Sequence, residues 1–252
     1  MKRRHEQHAG GDEDLLAAKA ALREQIWAAM SEPGIARFPP PDGRIPNFVG
    51  AERAADRLQE TGAWQQARTV KANPDSPQLP VRQRALEDGK LLYMAVPRLA
   101  EEQPFFLLDP SHLADPPRRA ASIKGASRSA RRVGVDELEP VDLVVTGCVA
   151  VGSDGARLGK GGGFSDLEFA VASEAGLVGS GTIVVTTVHD TQVVGAGIVP
   201  TTAHDLHVDV ISTPTRLLEC RRRRTKQPRL EWDELTAEKI AAVPLLGRLR
   251  DR

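Results

Sequence analysis

The stretch "VDLVVTGCVAVGSDGARLGKGGGFSDLEFA", residues 141–170, decides the fold class of this chain. Its first part, residues 141–151, is strongly hydrophobic and bounded by turn residues, which predicts a central strand covered on both faces. A glycine-rich segment follows directly, and residues 165–175 then predict a helix. Strand, glycine-rich turn and helix in this order are typical of α/β domains in which backbone amides and a helix N-terminus converge on an anion.

The segments on either side repeat this alternation of strand and helix. Helices are predicted over residues 15–30, 47–61, 77–88 and about 125–133, and further strands over 67–74, 90–97, 181–189 and 206–213. Alternation of this kind favours parallel pairing through crossover helices. We therefore expect a single three-layer α/β/α domain with a mostly parallel central sheet over residues 14–220. Residues 1–13 are expected to form a disordered leader, and residues 221–252 a basic arm with a C-terminal helix near 233–242.

Composition and charge exclude several classes of protein. Lys and Arg together number 34, as do Asp and Glu, so the net charge of zero gives no field that would attract a polyanion. The basic run at 221–224 is interpreted as a solvated arm, and no nucleic-acid partner is expected. No segment has the apolar run that a signal peptide or a membrane span needs, so we expect a soluble protein. Because Cys148 and Cys220 lack disulfide or zinc spacing, we expect buried thiols in a reducing compartment, the cytoplasm. A monomer is expected.

The glycine-rich segment does not match the two familiar nucleotide-binding patterns. A Walker A motif needs four residues between its first glycine and Gly-Lys, but only three residues lie between Gly155 and Gly159. In addition, Gly161 follows Lys160 where Ser or Thr should stand. The dinucleotide pattern fails because Phe164 occupies the position of its third glycine.

An alternating pattern of glycines and cations nevertheless predicts phosphate binding. The alternating glycines are Gly159, Gly161 and Gly163. Arg157 and Lys160 flank them, and backbone without Cβ atoms can approach a phosphate closely. Asp166 lies in the first turn of the following helix, where it is either a favourable charge for the helix or a Mg²⁺ ligand beside a polyphosphate.

A second cluster of polar residues lies in "PTTAHDLHVDVIST", residues 200–213. On a regular strand Asp205, His207 and Asp209 would share one face. The residue types suggest a transition-metal site, although the spacing matches no closed zinc pattern. A hard-cation role for one Asp, or a solvated strand end in which an Asp caps a turn, remain the other interpretations.

Three motifs, in this order along the chain, resemble those of 5-formyltetrahydrofolate cyclo-ligases, also called methenyltetrahydrofolate synthetases. They are "KAALR" at 19–23, "RLGKGGGFSD" at 157–166 and "IVPTTAHDLHVDVIST" at 198–213. The divergent branch of methenyltetrahydrofolate synthetase domain-containing proteins is the most similar, and "VKANPDSPQ" at 70–78 also looks like that branch. Typical members carry a Tyr where this chain has Ser165 and a Glu where it has Pro77 and Gln78.

The resemblance implies an ATP- and Mg²⁺-dependent ligase. ATP would phosphorylate the formyl oxygen of 5-formyltetrahydrofolate, a reduced folate, and ring closure would give 5,10-methenyltetrahydrofolate. The nucleotide ligands that it implies are Lys19, Arg23, Arg157, Gly159, Lys160, Gly161, Gly162, Gly163, Phe164 and Asp166. Arg157 and Lys160 would serve catalysis, and Asp166 and Asp209 would hold Mg²⁺. The alternatives are a nucleotide-binding regulatory protein that has lost folate chemistry, or a ligase for another carbonyl substrate.

Overall fold

The computed structural model describes residues 2–96, 103–162, 164–202, 205–220, 232, 238, 240 and 243–250. The helices are α1 Lys2–Met30, α2 Ala51–Gln59, α3 Gly62–Gln66, α4 Leu79–Glu87, α5 Pro117–Ala120, α6 Ile123–Ser129, α7 Phe164–Glu174 and α8 Pro244–Arg250. The strands are β1 Thr69–Ala72, β2 Leu91–Ala95, β3 Phe105–Leu108, β4 Arg131–Val133, β5 Leu143–Val145, β6 Ala150–Gly152, β7 Arg157–Leu158, β8 Ile183–Thr187, β9 Val193–Val194, β10 Val210–Ser212 and β11 Leu217–Glu219.

A large central sheet organises the fold. Within the described residues it has eight strands in the order β11-β10-β8-β5-β1-β2-β3-β4. The five strands from β10 to β2 run parallel, whereas β11, β3 and β4 pair antiparallel at the two sides. Parallel strands covered on both faces need continuous apolar runs, as in Leu143–Val145, where every residue is buried. The prediction of a mostly parallel central sheet is confirmed.

Helices cover both faces of this sheet. On one face α7 packs through Leu167 and Val171 against the cluster that contains Val144 of β5. On the other face α2 and α4 pack in the cluster that contains Val145, the neighbour of Val144 along the strand. Successive strand side chains point to opposite faces, so these two residues serve separate cores. The predicted three-layer α/β/α architecture is confirmed.

The predicted strand over residues 141–151 is wrong, because two strands in different sheets occupy this range. β5 belongs to the central sheet, whereas β6 lies in a three-stranded sheet of order β7-β6-β9. The chain leaves the central sheet at Gly147, where an added Cβ would lie 2.8 Å from Gln78 Oε1 and 2.9 Å from Ile45 Cγ2. A larger residue would require the side chains of Gln78 and Ile45 to shift. The glycine-rich segment therefore follows the hairpin of β6 and β7 rather than the central strand.

Helix caps explain why two helices have other boundaries than predicted. The helix predicted over 47–61 ends earlier, and α3 starts anew after Thr61, whose side chain accepts a hydrogen bond from the amide of Trp64. Similarly, Ser122 caps α6 by accepting a bond from the amide of Gly125, and the chain then forms β4 where the helix was predicted to continue to 133.

The two ends of the chain were predicted to form a disordered leader and a basic arm with a C-terminal helix. Helix α1 begins at Lys2 and so extends through the segment predicted to be a disordered leader. Lys, Arg, Glu, Gln and Ala, which make up much of that segment, are good helix formers, and extending a helix costs less than nucleating one. The basic run 221–224 lies outside the described residues, as does most of the predicted helix 233–242. Of the helices that the structure describes, none is both long and apolar enough to cross a membrane.

Candidate anion-binding site at the carboxyl edge of the sheet

The central parallel strands end together at one edge of the sheet, which we call the carboxyl edge. In open α/β sheets the crevice outside this edge is the usual place for a ligand. The segment after β1 turns across it, and there Gln78 Nε2 donates a hydrogen bond to the carbonyl of Thr187, the last residue of β8, at 3.2 Å. Arg82 reaches back from α4 and donates to the carbonyl of Asp75 at 3.0 Å. These contacts fix the backbone that borders the crevice.

The structure describes residues 159–162 of the glycine loop, residues 159–163, and these lie between helix α1 and the segment that follows β1. Arg23 Nε of α1 donates to the carbonyl of Gly159 at 2.8 Å. On the other side, Lys160 Nζ lies 3.5 Å from Asp75 Oδ1. Gly161 adopts φ +107°, which L residues rarely adopt, and a Cβ there would lie 3.7 Å from Arg23 Cζ. The loop is thus held in a glycine-specific conformation with a guanidinium beside it.

Arg157, two residues before the glycine loop, supports it from the protein interior. Its side chain is buried, and Nη1 donates to the carbonyl of Gly147 at 3.2 Å, so it links the small sheet to the end of β5. An added Cβ at Gly159 would lie only 3.3 Å from the same nitrogen. The sequence prediction that Arg157 and the glycines lie together is therefore consistent with this geometry. Because its guanidinium is fixed, Arg157 offers a preorganised positive charge at the base of the loop.

The thiol next to this arginine is not a nucleophile. Burial raises the pKa of Cys148 to about 11, and the hydrogen bond with Thr186 and the charge of Arg157 offset only part of this effect. Burial likewise raises the pKa of Cys220 to about 11, assisted by the charges of Asp209 and Asp154. Both thiols are neutral at physiological pH, as expected for structural cysteines.

Lys19 and Asp205 extend the charged cluster along α1. Lys19 Nζ lies 2.7 Å from Asp205 Oδ2, and the two side chains are only 13% and 18% exposed. The same oxygen accepts the amide of Thr202 at 2.6 Å, so the carboxylate is fixed by the turn that precedes it. One helical turn further along α1, burial lowers the pKa of Arg23, while the charge of Asp205 raises it. The structure thus brings Arg23 to the loop and pairs Lys19 with Asp205 one helical turn away on α1.

Asp209 lies at the opposite edge of the central sheet from the cluster of Lys19, Arg23 and Asp205. Its Oδ2 accepts a hydrogen bond from the amide of Val184 at 2.8 Å, at the start of β8. β10 runs parallel to β8 with Val210 opposite Val185, so Asp209 stands at the amino ends of these strands. About three residues, or about 10 Å of strand, separate this level from the carboxyl edge. The expectation that Asp205, His207 and Asp209 share a strand face fails, because the regular strand begins only at Val210.

Part of the predicted site falls outside what the structure describes. Gly163 lies outside the described residues, as do the side chains of Phe164, Ser165 and Asp166, although the backbone of these three starts α7. Gly162 is exposed. Within the described part of the chain, no three His, Cys, Asp or Glu side chains come together as possible metal ligands. The pairing of Asp166 with Asp209 around Mg²⁺ therefore stays a prediction.

The carboxyl edge also holds buried polar atoms that the sequence analysis missed. Gln78 Oε1, Thr146 Oγ1 and Thr187 Oγ1 are buried and have no hydrogen-bond partner within the described structure. An unsatisfied buried polar group costs about 1–3 kcal/mol, so such groups are usually satisfied by water or by a ligand. The signal in the sequence was a threonine directly at the end of an apolar strand, in "LVVT" and "IVVTT".

A buried ion pair anchors the helix that follows the loop. Lys71 Nζ of β1 lies 2.6 Å from Glu168 Oε2 of α7, and the two side chains are only 5% and 6% exposed. Sequence reasoning did not find this pair, because its members are 97 residues apart and Lys71 lies within an apolar strand. The pair ties α7 to the central sheet.

Comparison with known proteins identifies relatives of this chain. The model of the 5-formyltetrahydrofolate cyclo-ligase family matches residues 8–214. A methenyltetrahydrofolate synthase domain-containing protein of Bos taurus is 42% identical over 236 residues, which are 92% of this chain and 62% of that protein. The protein of the same name from Homo sapiens is 37% identical over 238 residues, 93% of this chain and 62% of its own length. The chain thus spans about three-fifths of the length of these relatives.

A solved structure supports the fold assignment. The NMR structure of Aquifex aeolicus 5,10-methenyltetrahydrofolate synthetase superimposes with a TM-score of 0.53 and 19% sequence identity, covering 83% of this chain and 96% of that one. At this level of identity the likeness concerns the fold. It agrees with the α/β/α architecture described above.

Proposed function

We propose that this chain, which belongs to the 5-formyltetrahydrofolate cyclo-ligase family, converts 5-formyltetrahydrofolate to 5,10-methenyltetrahydrofolate at the expense of ATP. The observation that carries the proposal is the glycine loop at the carboxyl edge, with Arg23 bonded to the Gly159 carbonyl and Arg157 fixed beneath it. Cations held beside glycine backbone can bind the negatively charged oxygens of a triphosphate. The second substrate, 5-formyltetrahydrofolate, is proposed because the chain matches this family.

In phosphoryl transfer of this kind the protein positions the two substrates and stabilises charge, and it does not supply a nucleophile. The formyl oxygen of the substrate forms a bond to the γ-phosphorus, and the bond from that phosphorus to the β,γ-bridging oxygen breaks to release ADP. N10 then attacks the formyl carbon, phosphate leaves, and the N10 proton passes to solvent. Arg157 and Lys160 would stabilise the charge that develops on the transferred phosphoryl oxygens.

Mg²⁺ fits the charged cluster beside the loop. When bound, it would supply positive charge that offsets part of the charge of the phosphates. Asp205 pairs with Lys19, one helical turn from the Arg23 that bonds the loop, whereas Asp209 stands at the amino ends of β8 and β10. We therefore assign Asp205 the role of a Mg²⁺ ligand together with Asp166, in place of Asp209.

A second candidate function is a nucleotide-binding protein that has lost the folate reaction. It is favoured by Gln78, which is fully buried at the carboxyl edge and presents a neutral amide where typical family members carry a carboxylate. A change from charged to neutral at this position alters what the crevice can recognise while leaving the loop intact.

One assay separates the two functions. Purified full-length chain is incubated with Mg-ATP and 5-formyltetrahydrofolate, and the near-ultraviolet absorbance of 5,10-methenyltetrahydrofolate is followed. We expect product formation, a loss of about 100-fold in kcat/KM for Lys160→Met, and no change for the control Lys124→Met, an exposed lysine on α6. Binding of Mg-ATP without any product would refute the ligase assignment and favour the second candidate.

A further inference from the structure

Asp75 lies in the segment "NPDSPQ", residues 73–78, between β1 and α4, and the reaction steps above do not use its carboxylate. The side chain is 20% exposed. Within the described residues its one ion-pair partner is Lys160, whose Nζ lies 3.5 Å from Oδ1, and Oδ2 accepts no hydrogen bond. Largely buried polar groups are normally hydrogen-bonded, so this carboxylate has capacity left for a ligand.

The backbone of Asp75 is fixed by two donors. Nη1 of the buried Arg82 donates to the carbonyl of Asp75 at 3.0 Å, and the amide of Gln78 donates to the same oxygen at 3.2 Å. Burial lowers the pKa of Arg82 to about 10, while the charge of Asp75 raises it, so the guanidinium stays charged at neutral pH. The carboxylate therefore stands on a preorganised turn near a permanent positive charge.

The second carboxylate oxygen borders a gap beside Gly147, at the floor of the crevice. A Cβ added at Gly147 would lie 3.4 Å from Asp75 Oδ2 and 2.8 Å from Gln78 Oε1, so the glycine leaves space that both oxygens border. Gln78 Nε2 donates to the carbonyl of Thr187, which can only accept, and this fixes Oε1 as the amide atom on the side of the gap. Because the buried Oε1 has no partner within the described residues, we expect a ligand with N–H groups there.

The two oxygens of Asp75 thus lie toward the positions proposed for the two substrates. Oδ1 is on the side of Lys160, which would stabilise the transferred phosphoryl group, and Oδ2 is on the side of the gap. In the proposed reaction the formyl carbon carries the oxygen that is phosphorylated, and N10 attacks the same carbon. A group that acts on N10 must therefore lie close to the cation that holds the phosphoryl group, as Asp75 does. Lys160 and Arg82 offset the repulsion between this carboxylate and the phosphoryl oxygens.

We propose that Asp75 is the general base of ring closure and accepts the proton of N10. The inference rests on the proposed ligase function and adds the protein group that receives this proton. It makes Asp75 a catalytic residue in addition to Arg157 and Lys160.

The proton transfer balances within the proposed reaction. The N10 lone pair forms a bond to the formyl carbon, so the nitrogen becomes positively charged and its N–H becomes strongly acidic. Asp75 Oδ2 takes the proton, N10 keeps the electron pair of the N–H bond, and phosphate leaves with the electron pair of its bond to the formyl carbon. Because the side chain is partly exposed, water can then remove the proton from Asp75.

Single-turnover kinetics of the full chain separate phosphoryl transfer from ring closure. ADP is measured after rapid quenching, and 5,10-methenyltetrahydrofolate is followed by its near-ultraviolet absorbance in stopped flow. We expect Asp75→Asn to form ADP at the wild-type rate and to close the ring about 100-fold more slowly, because general-base catalysis contributes about 10²–10⁴ in rate. The calorimetric affinity for Mg-ATP should change little, since an ion pair with a half-exposed lysine contributes little energy.

Two further variants serve as controls. Asp56 also pairs with a cation, Arg84, at 2.9 Å, but it is an exposed residue of α2, and Asp56→Asn should leave both rates unchanged. Asp75→Ala guards against misfolding at this position. Added formate, a small carboxylate that can enter the space left by the side chain, should raise its rate of ring closure, whereas chloride at the same ionic strength should not.

The outcomes distinguish this role from the proposed function itself. Ring closure at the wild-type rate in Asp75→Asn, or a rate in Asp75→Ala that formate does not raise, would overturn the assignment of the base. Equal slowing of ADP formation and ring closure would also overturn it, because Asp75 would then act by positioning Lys160. A wild type that binds Mg-ATP but forms neither ADP nor product would overturn the ligase function and the role of Asp75 with it.

Discussion

The two edges of the central sheet differ in how their polar groups are satisfied. At the amino edge, carboxylates of the chain satisfy the backbone. Asp142 accepts the amides of Arg68 at 2.8 Å and Thr69 at 3.1 Å, and Asp209 accepts the amide of Val184 at 2.8 Å. These aspartates act as local caps that join neighbouring strands.

At the carboxyl edge, the described structure leaves side-chain oxygens of Gln78, Thr146 and Thr187 buried without partners. Cations and a glycine in a left-handed conformation surround the same edge. We therefore expect the carboxyl edge to hold a ligand, whereas the capped amino edge contributes to stability. The following predictions separate the two.

The largest effect is expected at the ion pair that anchors the carboxyl edge. Lys71→Met leaves Glu168 buried without its partner, and breaking a buried pair in this way costs about 3–5 kcal/mol of unfolding free energy. The double variant Lys71→Met/Glu168→Leu should recover most of that loss. Urea denaturation measures both, and a single variant as stable as the wild type would show that the pair contributes nothing.

Gly161→Val should abolish the phosphate site with little effect on stability. A β-branched residue cannot adopt φ +107° without strain, so the loop must rearrange. We expect a loss of about 100-fold in Mg-ATP affinity, equivalent to about 2.7 kcal/mol. Titration calorimetry checks the affinity, with Gly179→Val, a glycine with open space around it, as the control. Unchanged affinity in Gly161→Val would contradict the role of the loop.

Asp205 and Asp209 should respond oppositely to removal. Asp209→Ala loses a capping bond and should lower the unfolding free energy by about 1–2 kcal/mol, with the Mg²⁺ dependence of ATP binding unchanged. Asp205→Ala should instead weaken the Mg²⁺ dependence. ATP titrations at several Mg²⁺ concentrations, alongside thermal unfolding, distinguish the two. Loss of Mg²⁺ dependence in Asp209→Ala would restore the original assignment of that residue.

The smallest effect is the pH dependence contributed by Asp142. Burial raises its pKa, but the hydrogen bonds from Arg68 and Thr69 outweigh burial and hold the pKa below its ordinary value. The folded state therefore binds the proton less tightly than the unfolded state, and the resulting small stabilisation is present at neutral pH and lost as the pH falls below about 4. The stability difference between wild type and Asp142→Asn should shrink over that range, and a constant difference would contradict the assignment.

Local patterns predicted much of this structure. Continuous apolar runs predicted the buried parallel strands β2, β5 and β8, and the spacing of Lys19 and Arg23 predicted a shared helix face. The strand prediction across Gly147 failed because periodicity does not reveal that the chain must pass close to Gln78 and Ile45.

The parts of the site that the sequence did not predict depend on contacts between distant segments. The alternation argument grouped Asp209 with Asp205, but the turn at Thr202 fixes Asp205 toward Lys19, 186 residues away in sequence. The pairing of Lys71 with Glu168 likewise depends on how α7 packs on the sheet. Such contacts are set by tertiary packing, which a single sequence does not show.

Amide hydrogen exchange with and without Mg-ATP tests the contrast between the two edges most directly. We expect slower exchange on ATP addition at the carboxyl edge, in the segments 146–148 and 157–162, and no change at the amino edge, at the amides of Arg68, Thr69 and Val184. Protection confined to the amino edge, or absent from the glycine loop while ATP is bound, would contradict this expectation.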